Sequence, residues 1–389
     1  MNKVILFGGN HHNGLGIIRS LGRKGIYPDV LIHTDLPEEK CHILKSKYIN
    51  SYKYVRTCED GIDYLKEQRK ETSSKPVIIC YSDGGASAID MHYDELKDYY
   101  CLPGCGINSY LTGLMNKETM AQMAVKAGLD VPDTILVEEG IVPSTVPLPC
   151  ITKPLSSIEG DKADIKICRN REELKNVVRG SKCKRFQVQR FIEKDFEYQL
   201  IGLSTGGGQN VIIPGRSRII TQPVCTNTGY LHYEHLDGKE PLKECETFLK
   251  SINYSGLFSM EFLRDKDGKN YFMEINFRND GNSISVTEAG VNLHYLWYAF
   301  NTSLDLETES YHISKEVYVM PEFTELSLWF TGSISLFRFI KEMIQADVFM
   351  DYAKDDPAPT DGMSRWGKEL MLSLVLKPLV TIKHKLFRK

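Results

Sequence analysis

The chain has 389 residues, 42% of them hydrophobic, and a formal net charge of −3, which is the composition of an ordinary globular protein of two or three domains. The charge gives no electrostatic argument for nucleic acid binding, and no apolar run approaches the roughly eighteen residues of a membrane span. Ten scattered cysteines suggest no zinc site and favour a reduced, cytoplasmic compartment.

The first hundred residues alternate short apolar runs with helical patterns, beginning with KVILFGG and a helix from about Leu15 to Lys24. This alternation predicts a parallel sheet with crossover helices, that is, a doubly wound α/β domain over residues 1–112. Ligands of such sheets bind at the carboxyl ends of the strands. The turn Gly8 to Asn10, His33 and Asp83 follow three of these runs, so they are candidates for substrate contacts.

The segment GGNHHNGLG begins as a phosphate-binding glycine turn does, which leaves a nicotinamide-dependent dehydrogenase open as a function. Gly14 and Gly16 supply two glycines of the dinucleotide fingerprint, but Arg19 stands where the third should be. A structural turn beside a ligand cleft is therefore the favoured interpretation.

Residues 131–275 change to strands with hairpin-like spacings, which predicts an α+β region built mainly on antiparallel sheet. Lys153 ends one strand before the polar stretch Ser156 to Lys162, an arrangement suited to clamping phosphate groups. Gln189 to Ile192 is an extended piece before Glu197, suited to an adenine edge and to ribose hydroxyls. A solvated lysine and an ordinary strand are the alternatives.

The segment GLFSMEFLRDKDGKNYFMEINFR predicts two strands joined by a turn at Asp267 and Gly268. Folded there, Glu261 lies opposite Glu274, and the period of two places Asn276 on the same face. Two carboxylates about 5 Å apart repel by roughly 3 kcal/mol at an effective dielectric near 20, and a bound cation removes this repulsion. Such oxygen ligands favour a hard ion such as Mg²⁺. A solvated surface hairpin is the alternative.

Arginines flank this hairpin. Arg216 and Arg218 alternate on one face of the strand IIPGRSRII, and Arg278 follows Asn276 on the face of the candidate metal ligands. Structural ion pairs are the commoner role for such arginines. A planar bidentate donor is also suited to the anionic centre of a transition state.

Beyond residue 305 the pattern is mostly helical, which predicts a helical C-terminal extension over residues 306–389. Residues 327–349 read as amphipathic helix, 351–361 as a polar linker and 366–389 as a second helical piece. This last piece has six Lys or Arg against one acid, which leaves open a weak contact with an anionic membrane surface. A terminal helix packed on the body is the alternative.

The order of these residues resembles the ATP-grasp superfamily, specifically its carboxylate-amine ligases such as D-aspartate ligase, D-alanine ligase and the biotin carboxylase-like enzymes. The resemblance covers about residues 1–304, and MEINFR is its most specific part. It implies an ATP-grasp domain over residues 113–305, with a small subdomain at about 113–188 and a large one at about 189–305.

The resemblance also implies a role for each candidate residue. The matching positions are Glu261, Glu274 and Asn276 for Mg²⁺ or Mn²⁺, Lys117 and Lys153 for the phosphates of ATP, Gln189, Arg190, Phe191 and Ile192 for adenine, and Glu197 for ribose.

Two features depart from the family pattern. Phe277 stands where proline usually precedes the arginine. The loop expected to cover the phosphates has Gly160 as its one glycine, so its closure would rely on the hydroxyls of Ser156 and Ser157.

The implied function is ATP-dependent ligation of a carboxylate to an amine through an acyl phosphate, with an amino acid as one substrate. Arg278, with Arg216 or Arg218, would stabilise the acyl-phosphate oxygens. The expected partners are the small-molecule carboxylate and amine, no nucleic acid, and a second copy of the chain in a homodimer. An ATP-binding protein without ligase activity is the alternative, ahead of the dehydrogenase.

Overall fold

The computed structural model describes residues 2–71, 74–138, 141–142, 144–154, 165–180, 185–222, 228–304, 306 and 309–361. Three sheets organise these residues: a four-stranded parallel sheet, a four-stranded antiparallel sheet and an eight-stranded sheet. Within the same ranges, no helix is long and apolar enough to cross a bilayer.

The N-terminal part is a doubly wound domain, as predicted. Its elements are β1 (Val4–Gly8), α1 (His12–Gly22), β2 (Asp29–His33), β3 (Ser51–Val55), α2 (Cys58–Glu67), β4 (Val77–Cys80), α3 (Asp83–Met91), α4 (Tyr93–Leu96) and α5 (Tyr110–Leu114), with 3-10 turns at Glu38–Lys40 and His42–Lys45. The four strands pair in parallel in the order β3-β2-β1-β4. Apolar residues of α1 cover one face of this sheet, and those of α2 and α3 cover the other.

A small antiparallel sheet follows. Its elements are α6 (Lys117–Lys126), β5 (Thr134–Glu138), β6 (Cys150–Pro154), β7 (Lys166–Cys168), α7 (Arg171–Gly180) and β8 (Arg185–Arg190), with strand order β5-β8-β6-β7. Leu174 and Val178 of α7 pack on this sheet. By contrast, Met120 and Ala124 of α6 belong to the core under the large sheet, so the packing separates α6 from the small subdomain to which we assigned it.

The large sheet carries most of the chain. It and its helices comprise β9 (Lys194–Thr205), β10 (Asn210–Ile212), β11 (Arg216–Ile219), β12 (Leu231–Glu234), α8 (Leu242–Ser251), β13 (Gly256–Asp265), β14 (Asn270–Asn276), α9 (Ile284–Glu288) and α10 (Leu293–Thr302). The order β14-β13-β9-β11-β12 has β10 paired to β9. Phe258, Phe262 and Phe272 pack one face against α6 and α8, which leaves the other face to form a site.

The C-terminal part is not purely helical, which corrects the prediction of a helical extension. It consists of β15 (Val317–Met320), α11 (Glu322–Phe330), α12 (Leu336–Gln345) and β16 (Val348–Phe349). β15 pairs with β12 and β16 pairs with β15, so both strands extend the large sheet. The predicted linker is anchored to the N-terminal domain, because buried Arg19 donates to Asp356 over 3.1 Å. Residues 366–389 lie outside the described ranges.

Two buried carboxyls, Glu325 and Glu342, meet beneath α11 and α12. Glu325 accepts from the amide of Tyr230, and Glu342 accepts from Thr221 and Arg338. Burial, followed by the charge of Glu342, raises the pKa of Glu325 to about 7. A raised pKa means that the folded chain keeps a proton that the unfolded chain has already released.

We therefore expect the free energy of unfolding to fall as pH rises from about 4.3 to about 7. In Glu325→Gln the side-chain amide donates the hydrogen bond that the protonated carboxyl otherwise donates, and it does not titrate. The decrease in the free energy of unfolding over this pH range should therefore be smaller by about 2 kcal/mol. Urea unfolding at pH 5 and at pH 8 measures the difference, with the exposed Glu246→Gln as a matched control. An unchanged pH slope in Glu325→Gln would show that this pair does not hold the proton.

Candidate active site

A cavity of about 480 Å³ lies between the small sheet and the large sheet. Its volume falls in the range of small-molecule sites, roughly 300–1,000 Å³. The charged and amide side chains in its walls include Lys117, Lys153, Gln187, Gln189, Glu197, Gln199, Glu261 and Glu274. Two lysines and three acids that the sequence singled out therefore meet in one place.

The acidic floor of the cavity is formed by β13, β14 and β9. Glu261 pairs directly with Glu274, and Ser259 with Asn276, which confirms the predicted register of the hairpin. The Asn276 amide donates to Glu261 Oε1 over 3.2 Å, and the Gln199 amide donates to the same oxygen over 3.3 Å. Two carboxylates and two amides therefore share one face of the sheet.

The charge on this floor is only partly compensated by the protein. Burial, then the charges of Glu274 and Asp280, hold the pKa of Glu261 well above its usual range. In the described part of the chain, no group of three or more His, Cys, Asp or Glu side chains is placed to hold a metal ion. The set here is two carboxylates and the Asn276 amide, an oxygen donor set that fits a hard cation completed by water and phosphate oxygens.

Both lysines line the cavity, Lys153 from β6 of the small sheet and Lys117 from the start of α6. Lys153 on β6 donates to Gln189 Oε1 over 2.9 Å, and the Gln189 amide in turn donates to Thr134 Oγ1 over 3.0 Å. Burial and the charge of Lys117 lower the pKa of Lys153, although the acids of the floor oppose this shift. Lys117 begins α6, where the helix dipole adds further positive potential. A polyanionic ligand between the walls would balance both charges.

The segment from Gln189 to Ile192 joins β8 to β9 and so connects the two sheets. The amides of Arg190 and Phe191 donate to the carbonyls of Asp133 and Pro149 over 2.8 and 2.9 Å. These two amides already donate to backbone carbonyls of the protein, so other groups of the segment would have to form the hydrogen bonds to a bound base. Glu197, farther along the wall, accepts from Lys194 and Gln222.

Arg278 lies beside the floor, at the junction with the N-terminal domain. Its guanidinium donates to both oxygens of Asp83, over 2.8 and 3.3 Å, and to Asn276 Oδ1 over 3.3 Å. Burial lowers the pKa of Arg278, but the charges of Asp83 and Asp280 outweigh it and leave the pKa raised. His33 approaches the same edge, with Nε2 2.9 Å from Ser82 Oγ.

The structure separates Arg216 and Arg218 from this floor, which corrects their predicted role. Ser217 pairs with Gln199 and Ile219 pairs with Glu197, so these residues face the cavity and the two arginines face the other side of the sheet. Buried Arg216 donates to Glu234 over 2.7 Å and to Glu240 over 2.5 Å, and also pairs with Asp237. Arg218 lies over the ring of Phe196. Both arginines are structural.

Sequence reasoning missed the polar residues that support the floor. Asp280 Oδ2 accepts from Ser259 Oγ over 2.9 Å, and the Asn282 amide donates to Gln199 Oε1 over 2.6 Å. The position of Gln199 could be predicted from the sequence, since it lies two residues after Glu197 on the same strand and therefore on the same face. The loop residues carried no such periodic signal. Ser156 and Ser157 lie outside the described residues.

The glycine turn after β1 is filled by protein. A Cβ on Gly8 would lie 2.5 Å from the ring of Tyr81, and one on Gly14 would lie 2.8 Å from the same ring. The glycines are therefore required by the packing of Tyr81. Arg19, at the place of the third glycine, is buried and holds Asp356. These contacts argue against a dinucleotide in this turn and against the dehydrogenase.

The arrangement of domains and sheets matches that of solved enzymes. N5-carboxyaminoimidazole synthetase from Staphylococcus aureus aligns with a TM-score of 0.65 over 85% of this chain and 88% of that chain, at 16% identity. The L-amino acid ligase from Bacillus licheniformis aligns with a TM-score of 0.60 over 82% and 79%, at 17% identity. The chain has the ATP-grasp fold. The predicted fold class is thereby confirmed.

Other ATP-grasp proteins are also similar to this chain. The biotin carboxylase domain of 2-oxoglutarate carboxylase from Hydrogenobacter thermophilus, solved with MgADP and bicarbonate, aligns with a TM-score of 0.60 over 82% and 74%, at 17% identity. A D-aspartate ligase from Enterococcus faecium is 26% identical over 257 residues, which is 60% of this chain. The aligned region spans 61% of that relative, less than two thirds of its length. No family model matches the chain.

Proposed function

We propose that this chain is an ATP-dependent ligase that joins a carboxylate to an amine and releases ADP and phosphate, with an amino acid as one substrate. The observation that carries the proposal is the meeting of Lys117, Lys153, Glu197, Glu261 and Glu274 in one cavity. Such a set is suited to a polyanion at its lysines and a cation at its carboxylates. The ATP-grasp fold and the similarity to two amino acid ligases support the same reading.

Mg²⁺ or Mn²⁺ is proposed to bind at Glu261, Glu274 and Asn276. The geometry of the hairpin supports it, because Glu261 lies directly opposite Glu274 with Asn276 3.2 Å from Glu261 Oε1, and a cation would relieve the repulsion between the two carboxylates. When bound, such an ion neutralises phosphate oxygens during phosphoryl transfer.

The protein's own residues would then position ATP and offset its charge. Lys117 and Lys153 would face the phosphates, and Glu197 with the segment Gln189 to Ile192 would hold the nucleoside, as the resemblance implies. The substrate carboxylate attacks the γ-phosphorus, ADP leaves, and an acyl phosphate forms. Arg278, which stays charged and donates to Asn276, would stabilise its oxygens. The uncharged amine then attacks the carbonyl carbon, phosphate leaves, and a proton passes to solvent.

The reaction separates into two halves that can be tested independently. Hydroxylamine converts an acyl phosphate into a hydroxamate, so it reports the first half without the natural amine. We expect purified protein, ATP, Mg²⁺ and single amino acids, D-aspartate included, to give hydroxamate and ADP in equal amounts with at least one carboxylate. A full amino acid panel that gives no hydroxamate, with ATP still bound in calorimetry, would favour the ATP-binding protein without ligase activity.

A homodimer and a cytoplasmic location stay predictions.

A further inference from the structure

The side-chain amide of Asn13 joins three segments of the chain beside the candidate active site. Asn13 lies in the first turn of α1, within the segment GGNHHNGLG, and is 4% exposed. Its Nδ2 donates to the carbonyl of Tyr81 over 2.9 Å and to the carbonyl of Asn279 over 2.8 Å, and its Oδ1 accepts from Asn279 Nδ2. Because both acceptors of Nδ2 are backbone carbonyls, the orientation of the amide is fixed.

Both segments held by Asn13 carry a contact of Arg278. Tyr81 stands two residues before Asp83, whose carboxylate accepts from the Arg278 guanidinium over 2.8 and 3.3 Å. The carbonyl of Asn279 accepts from Arg278 Nη1 over 3.1 Å, and it is the same carbonyl to which Asn13 donates. One buried amide therefore fixes a direct acceptor of the guanidinium and the segment that leads to its ion-pair partner.

Asn279 is held from further directions. Its backbone amide donates to the carbonyl of Cys80 over 3.0 Å, and its Nδ2 also donates to the carbonyl of Asp280 over 3.1 Å. Its Oδ1 is therefore the acceptor for His294, whose Nε2 lies 2.7 Å away and must carry the hydrogen. Burial lowers the pKa of His294 to about 3, so the ring stays neutral. The whole network is buried, and water does not compete for its hydrogen bonds.

The other contacts of Arg278 constrain its guanidinium less. The side chain of Asp83 is 61% exposed, so solvent screening weakens its pairing with Arg278. The contact with Asn276 Oδ1 is 3.3 Å long. The buried hydrogen bonds that meet at the carbonyl of Asn279 are thus the firmest restraint on where the guanidinium lies.

We propose that Asn13 is a positioning residue for Arg278, which it holds through the carbonyl of Asn279. This role rests on the proposed function, in which Arg278 stabilises the oxygens of the acyl phosphate. A hydrogen-bond donor lowers the barrier of such a step when its position is fixed before the charge develops. Without the Asn13 amide, the carbonyl of Asn279 loses a donor and the guanidinium loses its restraint. A network that only stabilises the fold is the alternative.

A double-mutant cycle in hydroxamate formation distinguishes these two roles. We expect Asn13→Ala to lower kcat about tenfold to thirtyfold and to leave KM for ATP nearly unchanged, because a misplaced guanidinium loses part of its transition-state stabilisation. The loss in Asn13→Ala/Arg278→Gln should equal that in Arg278→Gln alone, since a residue that acts through Arg278 has no effect once the guanidinium is gone. Losses that multiply would overturn the proposal.

Phenylglyoxal labelling, quantified at each arginine by mass spectrometry, tests the same contact without ligase activity. Arg278 should react several-fold faster in Asn13→Ala than in the wild type. Arg218, on the far face of the sheet, should react at the same rate in both and is the internal reference. An unchanged rate at Arg278 would contradict the proposal. If the wild type forms no hydroxamate, the ligase function fails, and the labelling still decides whether Asn13 holds Arg278.

Asn292→Ala is the matched control, because Asn292 is another buried asparagine that joins α1 to a second segment. Its Nδ2 donates to the carbonyl of Ser20 over 2.8 Å, and its Oδ1 accepts from the amide of Tyr295 over 3.0 Å. Urea unfolding should show a loss of stability in both alanine variants. In Asn292→Ala, however, kcat and the labelling rate of Arg278 should stay at wild-type values, and an equal loss of kcat in both variants would assign the effect to stability.

A second variant covers the case in which Asn13→Ala does not fold. Asn13→Ser keeps one side-chain donor, so it should change kcat and the labelling rate of Arg278 in the same directions by smaller factors. Wild-type values of both quantities in folded Asn13→Ser would overturn the proposal.

Discussion

Replacing Glu261 or Glu274 by glutamine is expected to lower turnover by about a thousandfold or more, while the ligand-free protein becomes as stable as the wild type or more stable. Glutamine keeps the size of the side chain and one oxygen ligand but removes the negative charge. A divalent cation held by one carboxylate and neutral groups is bound far more weakly. ATP would then enter with its phosphate charge less neutralised.

The stability of these variants should move in the opposite direction because of the geometry of the hairpin. Burial and the charge of Glu274 raise the pKa of Glu261, so the ionised pair costs free energy whenever no cation is bound. Removing either charge relieves this repulsion. An ordinary structural residue would lose activity and stability together.

The measurement combines hydroxamate formation with thermal unfolding, each with and without Mg²⁺ and ADP. Wild-type protein should gain thermal stability from the pair of ligands, and the two variants should gain little. Glu246→Gln on α8, which is exposed, serves as the control and should behave like wild type in both assays. Full activity in Glu274→Gln would show that the metal assignment is wrong.

The hairpin also shows how far the sequence could predict this site. The opposition of Glu261 and Glu274 was predicted from a turn centred between Asp267 and Gly268. Nearest the turn, however, the strands pair Arg264 with Asn270, a register that would place Glu261 opposite Met273 if continued. The register shifts after Glu261, and this bulge turns Glu274 to the cavity face.

Met273 is the extra residue of the bulge and has no partner on β13. The period of two predicts that its side chain points away from the carboxylates, yet Met273 lines the cavity. The correct pairing of the acids thus arises from two deviations that cancel, a shifted turn and a bulge. A bulge has no composition signal of its own here, so the sequence could not reveal it.

The error over Arg216 and Arg218 has a different cause. The alternation within one strand was read correctly, since both arginines do share a face. Which face that is depends on the register between β11 and β9. No tight turn joins these two strands directly, because β10 lies between them in the chain. A shift of one residue moves every side chain to the other face, and the sequence does not fix that shift. The same lack of local signal hid β15, which finds its partner β12 across more than eighty residues.

Arg278→Gln is expected to reduce kcat/KM by about 10² to 10³, or roughly 3–4 kcal/mol of transition-state stabilisation. Its guanidinium lies beside the floor, bonded to Asn276 and to Asp83. Arg278→Lys keeps the charge but not the paired donors, so it should retain only part of the activity. Arg218→Gln is the matched control, because Arg218 lies on the far face of the same sheet.

The comparison of Arg278 with Arg218 separates a local electrostatic role from a general effect of lost positive charge. If long-range attraction of ATP were responsible, both variants would lose affinity in a salt-dependent way, and KM for ATP would rise in each. If Arg278 stabilises the acyl phosphate, its loss lowers kcat for hydroxamate formation and leaves KM for ATP nearly unchanged. Asp83→Asn adds a further distinction, since it releases Arg278 from the N-terminal domain without removing its charge. Activity retained in Asp83→Asn but lost in Arg278→Gln would assign the effect to the guanidinium rather than to the contact between domains.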